Sequence, residues 1–395
     1  MTRPLPYGRQ FIDDDDIAAV VAALKSDCLT TGPAVTAFEA ALAKVTEVAD
    51  AVVCSSGTAA LHLAALALDL GPGDAVIVPS VTFVATANAA RYVGGEVVFA
   101  DVDPATGLMG SEHLEEALRR CGGLVPKAVF PVHLNGQCVA MKALSEAARR
   151  HGLAVVEDAC HALGSRQGEA ATGACAWSDM AVFSFHPVKT VAMGEGGAVT
   201  TGDARLAERL RLLRSHGITR DPDGFLQPDE AFDAEGRPNP WYYEMASPGF
   251  NYRASDLSCA LGTSQLAKLD RFMARRAQLV AAYDRALAPL APRVVPVGRA
   301  ADGVPSWHIQ VVLIDFAACG TTRAKVMRGL AERGISTQVH YLPVHRQPYY
   351  RGRSPGLSLP GADAYYDRCL TLPLFYGMED DEVERVVREL GRVLS

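Results

Sequence analysis

The stretch that most constrains the fold runs from about residue 50 to residue 217, where short runs rich in β-branched residues alternate with Ala/Leu-rich segments of helical period. The strand-like runs are AVVCS, AVIVPS, EVVFADVD, KAVFPVH, LAVVEDA, MAVFSF and GGAVTT. Helices are predicted between several of them, over residues 58–70, 111–120 and 141–151. Strands that are apolar on both faces and separated by helices predict a mostly parallel sheet covered on both sides, and therefore an α/β fold.

The rest of the chain has a different pattern. Residues 218–250 are rich in Pro, Gly and Asp, and we expect an irregular insert there. A long helix is predicted over 254–290, followed by a smaller α+β unit with strands at 307–315 and 336–342 and helices at 322–334 and 380–390. We therefore expect an N-terminal segment (1–30), a large α/β domain (31–255), and a linking helix with a small C-terminal α+β domain (256–395).

Composition excludes several classes of protein. Hydrophobic residues make up 49% of the chain, which indicates a globular protein. The net charge is 38 − 45 = −7 without a cluster of basic residues, which argues against a nucleic-acid partner. The nine cysteines include no C-x-x-C pair, so neither a metal site nor a disulfide framework is expected. No secretory signal and no bilayer-length apolar run are found, so we expect a cytoplasmic protein without a membrane partner.

The segment CSSGTAAL places Ser56, Gly57 and Thr58 between a strand and an Ala-rich helix. Backbone N–H groups, hydroxyls and the positive end of the helix dipole would meet there, which suits a phosphate group, although a serine in this position is also an ordinary N-cap. Neither G-x-x-x-x-G-K-[ST] nor G-x-G-x-x-G is present, so a P-loop and a dinucleotide site are not indicated.

Two further strands end in groups that can take part in chemistry. VVEDACHA closes an apolar strand with Glu157 or Asp158, and His161 follows three residues later. MAVFSF is followed by Lys189 within SFHPVKTVAMGEGG, which also contains Ser184. A phosphate site, a carboxylate and a lysine at the ends of different strands match the needs of pyridoxal phosphate: an anchor for its phosphate, an anion for its ring nitrogen and an amine for its aldehyde.

At this point the chain resembles a known family. SSGTAAL, TFVATANA, EDACHALG, SFHPVK with GEGG, RSHG and FNYR are similar, in this order, to motifs of the DegT/DnrJ/EryC1/StrS aminotransferases, which have the fold-type I architecture and act on nucleotide-linked keto-sugars. By this resemblance Lys189 forms the Schiff base with pyridoxal phosphate and shuttles a proton, and pyridoxamine phosphate is produced in the first half-reaction. Some members of the family carry histidine instead of this lysine and act as dehydrases, so Lys189 favours transamination.

The resemblance also implies roles for neighbouring residues. Asp158 pairs with the ring nitrogen, His161 lies near the phenolic oxygen, and Phe83 stacks on the ring. Ser56, Gly57, Thr58 and Ser184 bind the phosphate. Asn251 reaches the phosphate of a neighbouring subunit, which implies a homodimer with shared active sites.

The ends of the chain resemble the family members that aminate C4 of a UDP-linked 4-keto-6-deoxy-N-acetylhexosamine with L-glutamate in pseudaminic acid biosynthesis. This likeness rests on residues 6–33, 241–253 and 337–351. The residues it assigns to the sugar-nucleotide pocket are Tyr7, Asp27, Cys28, Leu29, Thr30, Gln338, His340 and Tyr341. His186 is interpreted as a local structural or substrate contact.

Alternatives remain at this stage. The ends could serve ordinary domain packing, and the substrate could be a dTDP-linked 3-keto or a GDP-linked 4-keto sugar. A non-catalytic regulator with the same fold is also conceivable, but it would not need both Lys189 and Asp158.

Overall fold

The computed structural model describes residues 3–394. The strands in this part of the chain are β1 (Asp50–Cys54), β2 (Asp74–Pro79), β3 (Glu96–Ala100), β4 (Val125–Val129), β5 (Ala154–Asp158), β6 (Arg166–Gln167), β7 (Ala170–Ala171), β8 (Met180–Ser184), β9 (Gly197–Thr201), β10 (Ile218–Thr219), β11 (Glu244–Met245), β12 (Val294–Pro296), β13 (Gln310–Ile314) and β14 (Cys369–Leu372).

The helices are α1 (Asp14–Leu24), α2 (Pro33–Thr46), α3 (Gly57–Ala67), α4 (Val84–Tyr92), α5 (Ser111–Leu118), α6 (Met141–Arg150), α7 (Ala204–Arg214), α8 (Pro228–Ala231), α9 (Asp256–Leu266), α10 (Leu269–Leu287), α11 (Arg323–Glu332), α12 (Pro348–Arg351), α13 (Pro360–Arg368) and α14 (Asp380–Leu394). The described helices include none that is both long and apolar enough to cross a membrane.

The central sheet has seven strands in the order β1-β9-β8-β5-β4-β2-β3. The pairs β2/β3, β2/β4, β4/β5 and β5/β8 are parallel, which confirms the predicted mostly parallel α/β sheet. Strand β9 is antiparallel to both β1 and β8. It departs from the parallel arrangement because residues 185–196 join β8 to β9 without a crossover helix.

The sequence of helix α3 explains why this helix begins at the carboxyl end of β1. Its sequence, GTAALHLAALA, is apolar nearly all round, as expected for a helix buried on several sides. It packs against β8, β9, α4 and α7. Burial of Leu61 and Leu63 alone contributes roughly 1.5–3 kcal/mol each. The first turn of α3 is thereby fixed at the carboxyl end of β1.

A second, antiparallel sheet has the order β12-β13-β14 and a separate apolar core. Helices α10, α11 and α14 pack together beside it. The buried face of α14 follows the helical period, with Val383, Val386, Val387, Leu390 and Leu394.

Two predicted elements were wrong. The helix expected over 254–290 is interrupted, since α9 ends at Leu266 and α10 begins at Leu269. The interruption lies at Lys268, whose Nζ is 2.9 Å from the buried carboxylate of Asp16 and also pairs with Asp13.

The strand expected at 336–342 forms only one isolated bridge, between Gln338 and Thr371. The segment leaves the sheet because His340 and Tyr341 turn into a cavity and Pro343, which cannot donate to a ladder, follows.

The insert at 218–250 contains few regular elements but has internal order. Its ends pair as β10 and β11. Glu244 is buried and accepts hydrogen bonds from the backbone N–H groups of Leu226 (2.6 Å) and Gln227 (2.8 Å) and from the Tyr242 hydroxyl (2.9 Å).

Candidate active site

A cavity of about 650 Å³ lies at the carboxyl ends of β5 and β8, beside the first turns of α3 and α4. This is the edge where open α/β sheets bind ligands, and the volume is in the ordinary range for a small-molecule site. The predicted site residues that line it are Tyr7, Ser56, Gly57, Thr58, Phe83, Asp158, His161, Ser184, His186, Lys189, Gln338, His340 and Tyr341.

One end of the cavity is formed by the start of α3. Ser56 is the N-cap, and its Oγ accepts a hydrogen bond from the N–H of Ala59 (3.1 Å). The backbone at Gly57 approaches Ser184 so closely that a Cβ at position 57 would lie 2.8 Å from the Ser184 Cβ. The hydroxyls of Ser56 and Ser184, together with helix N–H groups that have no intrahelical acceptor, form a cradle for an anion.

The buried carboxylate of Asp158 forms the inner wall. Its Oδ2 accepts a hydrogen bond from Thr86 Oγ1 (2.7 Å), and its Oδ1 accepts one from the N–H of Cys160 (3.2 Å). Among the described residues, no arginine, lysine or histidine forms an ion pair with it. A carboxylate held in this way can accept a further cationic donor from the cavity.

Lys189 lies half-buried in the loop between β8 and β9. Its backbone N–H donates a hydrogen bond to the backbone carbonyl of His186 (2.8 Å). Burial lowers the pKa of the Lys189 ammonium, and the nearby Cys160 and Asp158 offset only part of that effect. A lysine with a lowered pKa has more of the neutral amine that acts as a nucleophile.

Three buried imidazoles, of His161, His308 and His340, lie on the side of the cavity near Tyr341. The His161 and His308 rings are 4.4 Å apart between centroids, and the Tyr341 hydroxyl lies 3.1 Å from His161 Nε2. Burial, with the charge on Lys189 as a further cause, lowers the pKa of all three, to about 3 for His340. This wall is therefore uncharged at neutral pH.

The cavity lining also includes Tyr7, Phe83, His186, Gln338 and Tyr341, which are exposed or half-buried. Phe83 is 55% exposed, and its ring centroid is 6.1 Å from that of Tyr341. Gln338 and His186 are exposed. Tyr7 is partly buried, and this burial raises the pKa of its hydroxyl.

Five predicted site residues do not line this cavity. Asp27, Cys28, Leu29 and Thr30 are exposed in the segment beside the start of α9, where the N–H of Asp256 donates to the carbonyl of Leu29 (2.9 Å). Asn251 is also exposed, and it forms an isolated bridge with Ser215. Within a single chain these residues do not line the cavity.

Sequence reasoning missed Thr86, Glu195 and His308, which also line the cavity. Thr86 lies one turn after Phe83 in TFVATANA, and a hydroxyl at helical spacing from a predicted site residue was the available signal. His308 begins the apolar run HIQVVLI, and Glu195 lies within GEGG.

The residues present fit pyridoxal phosphate. The cradle at Ser56 and Ser184 suits its phosphate, and the buried Asp158 suits a protonated ring nitrogen. The Nδ1 atoms of His161 and His308 are buried without a hydrogen-bond partner, which leaves both able to bond polar groups of a ligand.

A larger open groove, of about 920 Å³, lies between α10 and the start of α14. Three of its charged side chains are paired, Arg275 with Asp380 (2.8 Å) and Arg271 with Asp13 (3.2 Å). Its described lining residues include neither a lysine nor a histidine. The chemistry therefore belongs to the smaller cavity, which contains Lys189 and Asp158.

The profile of the DegT/DnrJ/EryC1/StrS aminotransferase family matches residues 10–391. Among solved structures, PseC of Helicobacter pylori, described as an aminotransferase involved in the biosynthesis of pseudoaminic acid, superposes with a TM-score of 0.88 at 27% identity over 99% of both chains. DesI, solved with its TDP-sugar product, gives a TM-score of 0.86 at 33% identity over 100% of this chain and 94% of its own.

The putative sugar aminotransferase Spr1654 of Streptococcus pneumoniae, solved in a PLP form, gives a TM-score of 0.86 at 26% identity over 99% of this chain and 98% of its own. The fold and the cavity define a PLP-dependent aminotransferase. The chain belongs to the DegT/DnrJ/EryC1/StrS aminotransferase family, and it is a sugar aminotransferase.

Proposed function

We propose that the protein transfers the amino group of L-glutamate to C4 of a UDP-linked 4-keto-6-deoxy-N-acetylhexosamine, in a pathway of the pseudaminic acid type. The observation that carries this proposal is the superposition on PseC over 99% of both chains, together with the sequence likeness of residues 6–33, 241–253 and 337–351. In the structure, Tyr7, Gln338, His340 and Tyr341 from these segments lie along the cavity.

When bound, pyridoxal phosphate supplies an aldehyde that captures amines and a ring that delocalises the electrons left on carbon when a proton departs. Lys189 is proposed to hold the aldehyde covalently. With the cofactor bound, the amine of Lys189 would be placed to accept a proton from the substrate carbon and to return it, as general base and acid. The lowered pKa of Lys189 suits this base role, because a larger fraction is unprotonated near neutral pH.

The other side chains have binding and orienting roles in this proposal. Asp158 holds the proton on the ring nitrogen, Ser56, Gly57, Thr58 and Ser184 bind the phosphate, and Phe83 covers the ring. His161 donates to or accepts from the phenolic oxygen through its partnerless Nδ1, while Tyr341 orients it from Nε2. The wall of His161, His308 and His340 is uncharged, and the charge on Lys189 interacts with Asp158.

We further propose a homodimer in which Asn251 completes the phosphate site of the partner subunit. The exposure of Asn251, outside the cavity of its own chain, supports this role. The exposed positions 27–30 would contact the sugar nucleotide in the same shared site.

A second candidate substrate is a TDP-linked keto-sugar. DesI is more similar in sequence than PseC, at 33% against 27% identity, and was solved with a TDP-sugar product. Family membership is the same in both cases, so only the substrate distinguishes the two proposals.

The deciding experiment is glutamate-dependent amination across matched 4-keto and 3-keto sugars linked to UDP, dTDP and GDP, with product analysis by mass spectrometry. The proposal predicts the highest kcat/KM for the UDP-linked N-acetyl 4-keto substrate, by at least about tenfold, or ~1.4 kcal/mol of transition-state discrimination. A preference for a dTDP-linked substrate, whether 3-keto or 4-keto, would establish the second candidate.

A further inference from the structure

Strand β5 ends in two consecutive acidic residues, Glu157 and Asp158, both of which are buried. Neighbouring side chains on a strand point to opposite faces of the sheet. Asp158 lines the cavity, whereas Glu157 lies on the other side, near His133, Cys138 and Trp177. The proposed mechanism uses Asp158 and leaves Glu157 without a role.

The carboxylate of Glu157 is held by two donors. Its Oε2 is 2.9 Å from His133 Nε2, and its Oε1 accepts from the hydroxyl of Ser178 (2.5 Å). The N–H of Val139 donates to His133 Nδ1 (3.1 Å). Because a backbone N–H can only donate, Nδ1 is the acceptor, and the ring proton lies on Nε2 and points at Glu157.

The backbone of His133 also contacts the second acidic residue. Its N–H donates to the carbonyl of Asp158 (3.0 Å), and the N–H of Asp158 donates to the carbonyl of Pro131 (2.8 Å). Val132 and Asp158 form a parallel bridge between these two hydrogen bonds. His133 is therefore bonded to Asp158 through its main chain and to Glu157 through its side chain.

We propose that His133 and Glu157 form a positioning pair that fixes the end of β5, so that the Asp158 carboxylate is held at the correct depth and angle for the ring nitrogen of the cofactor. This inference rests on the proposed role of Asp158. Rigid support is needed because a binding group displaced by a fraction of an ångström loses much of its effect. Partners behind metal ligands act in the same way, and their loss costs about 10–100-fold in affinity.

The test compares Glu157→Ala with Glu157→Gln. Alanine leaves the Nε2–H of His133 and the Ser178 hydroxyl without their acceptor, which frees the His133 ring. Glutamine keeps the geometry, since its oxygen accepts from His133 and its amide group donates to the Ser178 hydroxyl. The matched control is Glu115→Ala, which removes the carboxylate of an exposed pair in which Glu115 Oε2 lies 2.9 Å from His151 Nε2.

Two measurements do not depend on turnover. The first is the dissociation constant of the apoprotein for pyridoxal phosphate. The second is hydrogen exchange at the amide of Asp158, whose bond to Pro131 reports directly on the end of β5. For Glu157→Ala we expect affinity to fall by about tenfold or more and exchange to accelerate, whereas Glu157→Gln and Glu115→Ala should match the wild type.

The visible absorbance of the bound cofactor as a function of pH gives a third readout. A displaced Asp158 no longer holds the proton on the ring nitrogen, so the spectrum should change in Glu157→Ala, whereas a purely structural role would lower the melting temperature alone. Unchanged affinity and spectrum in a folded Glu157→Ala protein would overturn the proposal, and so would a Glu157→Gln protein as impaired as the alanine variant. If Glu157→Ala does not fold, His133→Asn takes its place with the same expectations, because an asparagine oxygen can still accept from the N–H of Val139 whereas the donor to Glu157 is lost.

An Asp158→Asn protein separates this inference from the function on which it rests. If Asp158→Asn binds pyridoxal phosphate normally with an unchanged spectrum, the role of Asp158 itself is refuted. If Asp158→Asn is impaired and Glu157→Ala is not, only the positioning role fails.

Discussion

Thr86 Oγ1 lies 2.7 Å from Asp158 Oδ2, and both residues are buried. This hydrogen bond joins α4 to the carboxyl end of β5. The Thr82 hydroxyl lies 2.8 Å from Thr86 Oγ1. Since the single proton of Thr86 is donated to the carboxylate, Thr82 donates to Thr86, and a chain of two hydroxyls ends on Asp158.

Replacement of Thr86 by valine preserves the shape of the side chain and removes the donor to Asp158. A hydrogen bond to a charged group contributes about 1.5–3 kcal/mol, so we expect kcat/KM to fall by about tenfold or more. Steady-state kinetics with a saturating amino donor measure this change. Thr82→Val, which leaves the bond between Thr86 and Asp158 in place, is the control and should lose less activity; equal losses would contradict the assigned hydrogen-bond direction.

Replacement of Lys189 by methionine should abolish transamination but stabilise the apoprotein. Burial lowers the pKa of Lys189 in the folded state, so the charged form of the amine opposes folding at pH values below the unfolded-state pKa. We therefore expect a higher melting temperature for apo Lys189→Met at neutral pH, by about 2 °C for each kcal/mol gained.

Lys268→Met is the matched comparison, with the opposite sign. Burial acts to lower the pKa of Lys268, but its hydrogen bonds with Asp13 and Asp16 outweigh that effect and raise it. The charged form of Lys268 therefore stabilises the fold at neutral pH, and its loss should lower the melting temperature. Differential scanning calorimetry of both apoproteins tests the pair, and a destabilised Lys189→Met would refute the first prediction.

The stability of the protein should fall as the pH decreases below about 6.5. Burial, followed by the charge on Lys189, lowers the pKa of His340 from 6.5 to about 3. Between these values the unfolded chain takes up a proton that the folded chain does not, so stability present above pH 6.5 is lost on acidification. His161 and His308 contribute in the same direction.

His340→Asn tests this dependence, because an asparagine oxygen can still bond Thr371 Oγ1, which lies 2.8 Å from His340 Nδ1. Urea unfolding at a series of pH values should give a shallower loss of unfolding free energy between pH 6.5 and about 4 for the variant. Parallel curves for variant and wild type would mean that His340 titrates normally in the folded state.

Shared active sites can be tested by mixing two inactive variants. Lys189→Ala and Asn251→Ala affect different chains of one site in the proposed homodimer. After random reassociation about a quarter of all sites combine an intact Lys189 with an intact Asn251, so activity should reappear. A mixture of Lys189→Ala with Asp158→Ala should remain inactive, because both residues line the cavity of the same chain. No recovery in the first mixture would remove Asn251 from the shared site.

The alternation of apolar runs and helices was enough to predict the parallel sheet, because a strand buried on both faces leaves an unambiguous apolar pattern. The antiparallel direction of β9 was not predictable, since GGAVTT has the same pattern in either direction. The end of α9 at Leu266 was missed for a related reason. The periodicity continues through Lys268, and the interruption depends on contacts with Asp13 and Asp16, far away in sequence.

In the site, residues at strand ends and in recognisable turns could be located from the sequence, as Lys189 and Asp158 illustrate. His308 could not, because its relevance depends on which strand lies beside the site in space. Thr86 had only its helical spacing from Phe83 as a signal, and its bond to Asp158 depends on which helix lies beside β5. The strand expected at 336–342 failed because the apolar and aromatic residues that favour strands also line cavities, and Tyr341 does the latter.

The antiparallel strand β9 has a consequence for how the loop that carries Lys189 is anchored. Because β8 leaves and β9 enters at the same sheet edge, residues 185–196 form a closed excursion, with the N–H of Phe185 bonded to the carbonyl of Gly196 (2.9 Å). The strands on either side are held in register by β1 and β5 rather than by the excursion itself. Within the loop, Phe185, Val191 and Met193 are buried in the core, so an exchange of this loop between related enzymes would have to carry these core contacts with it.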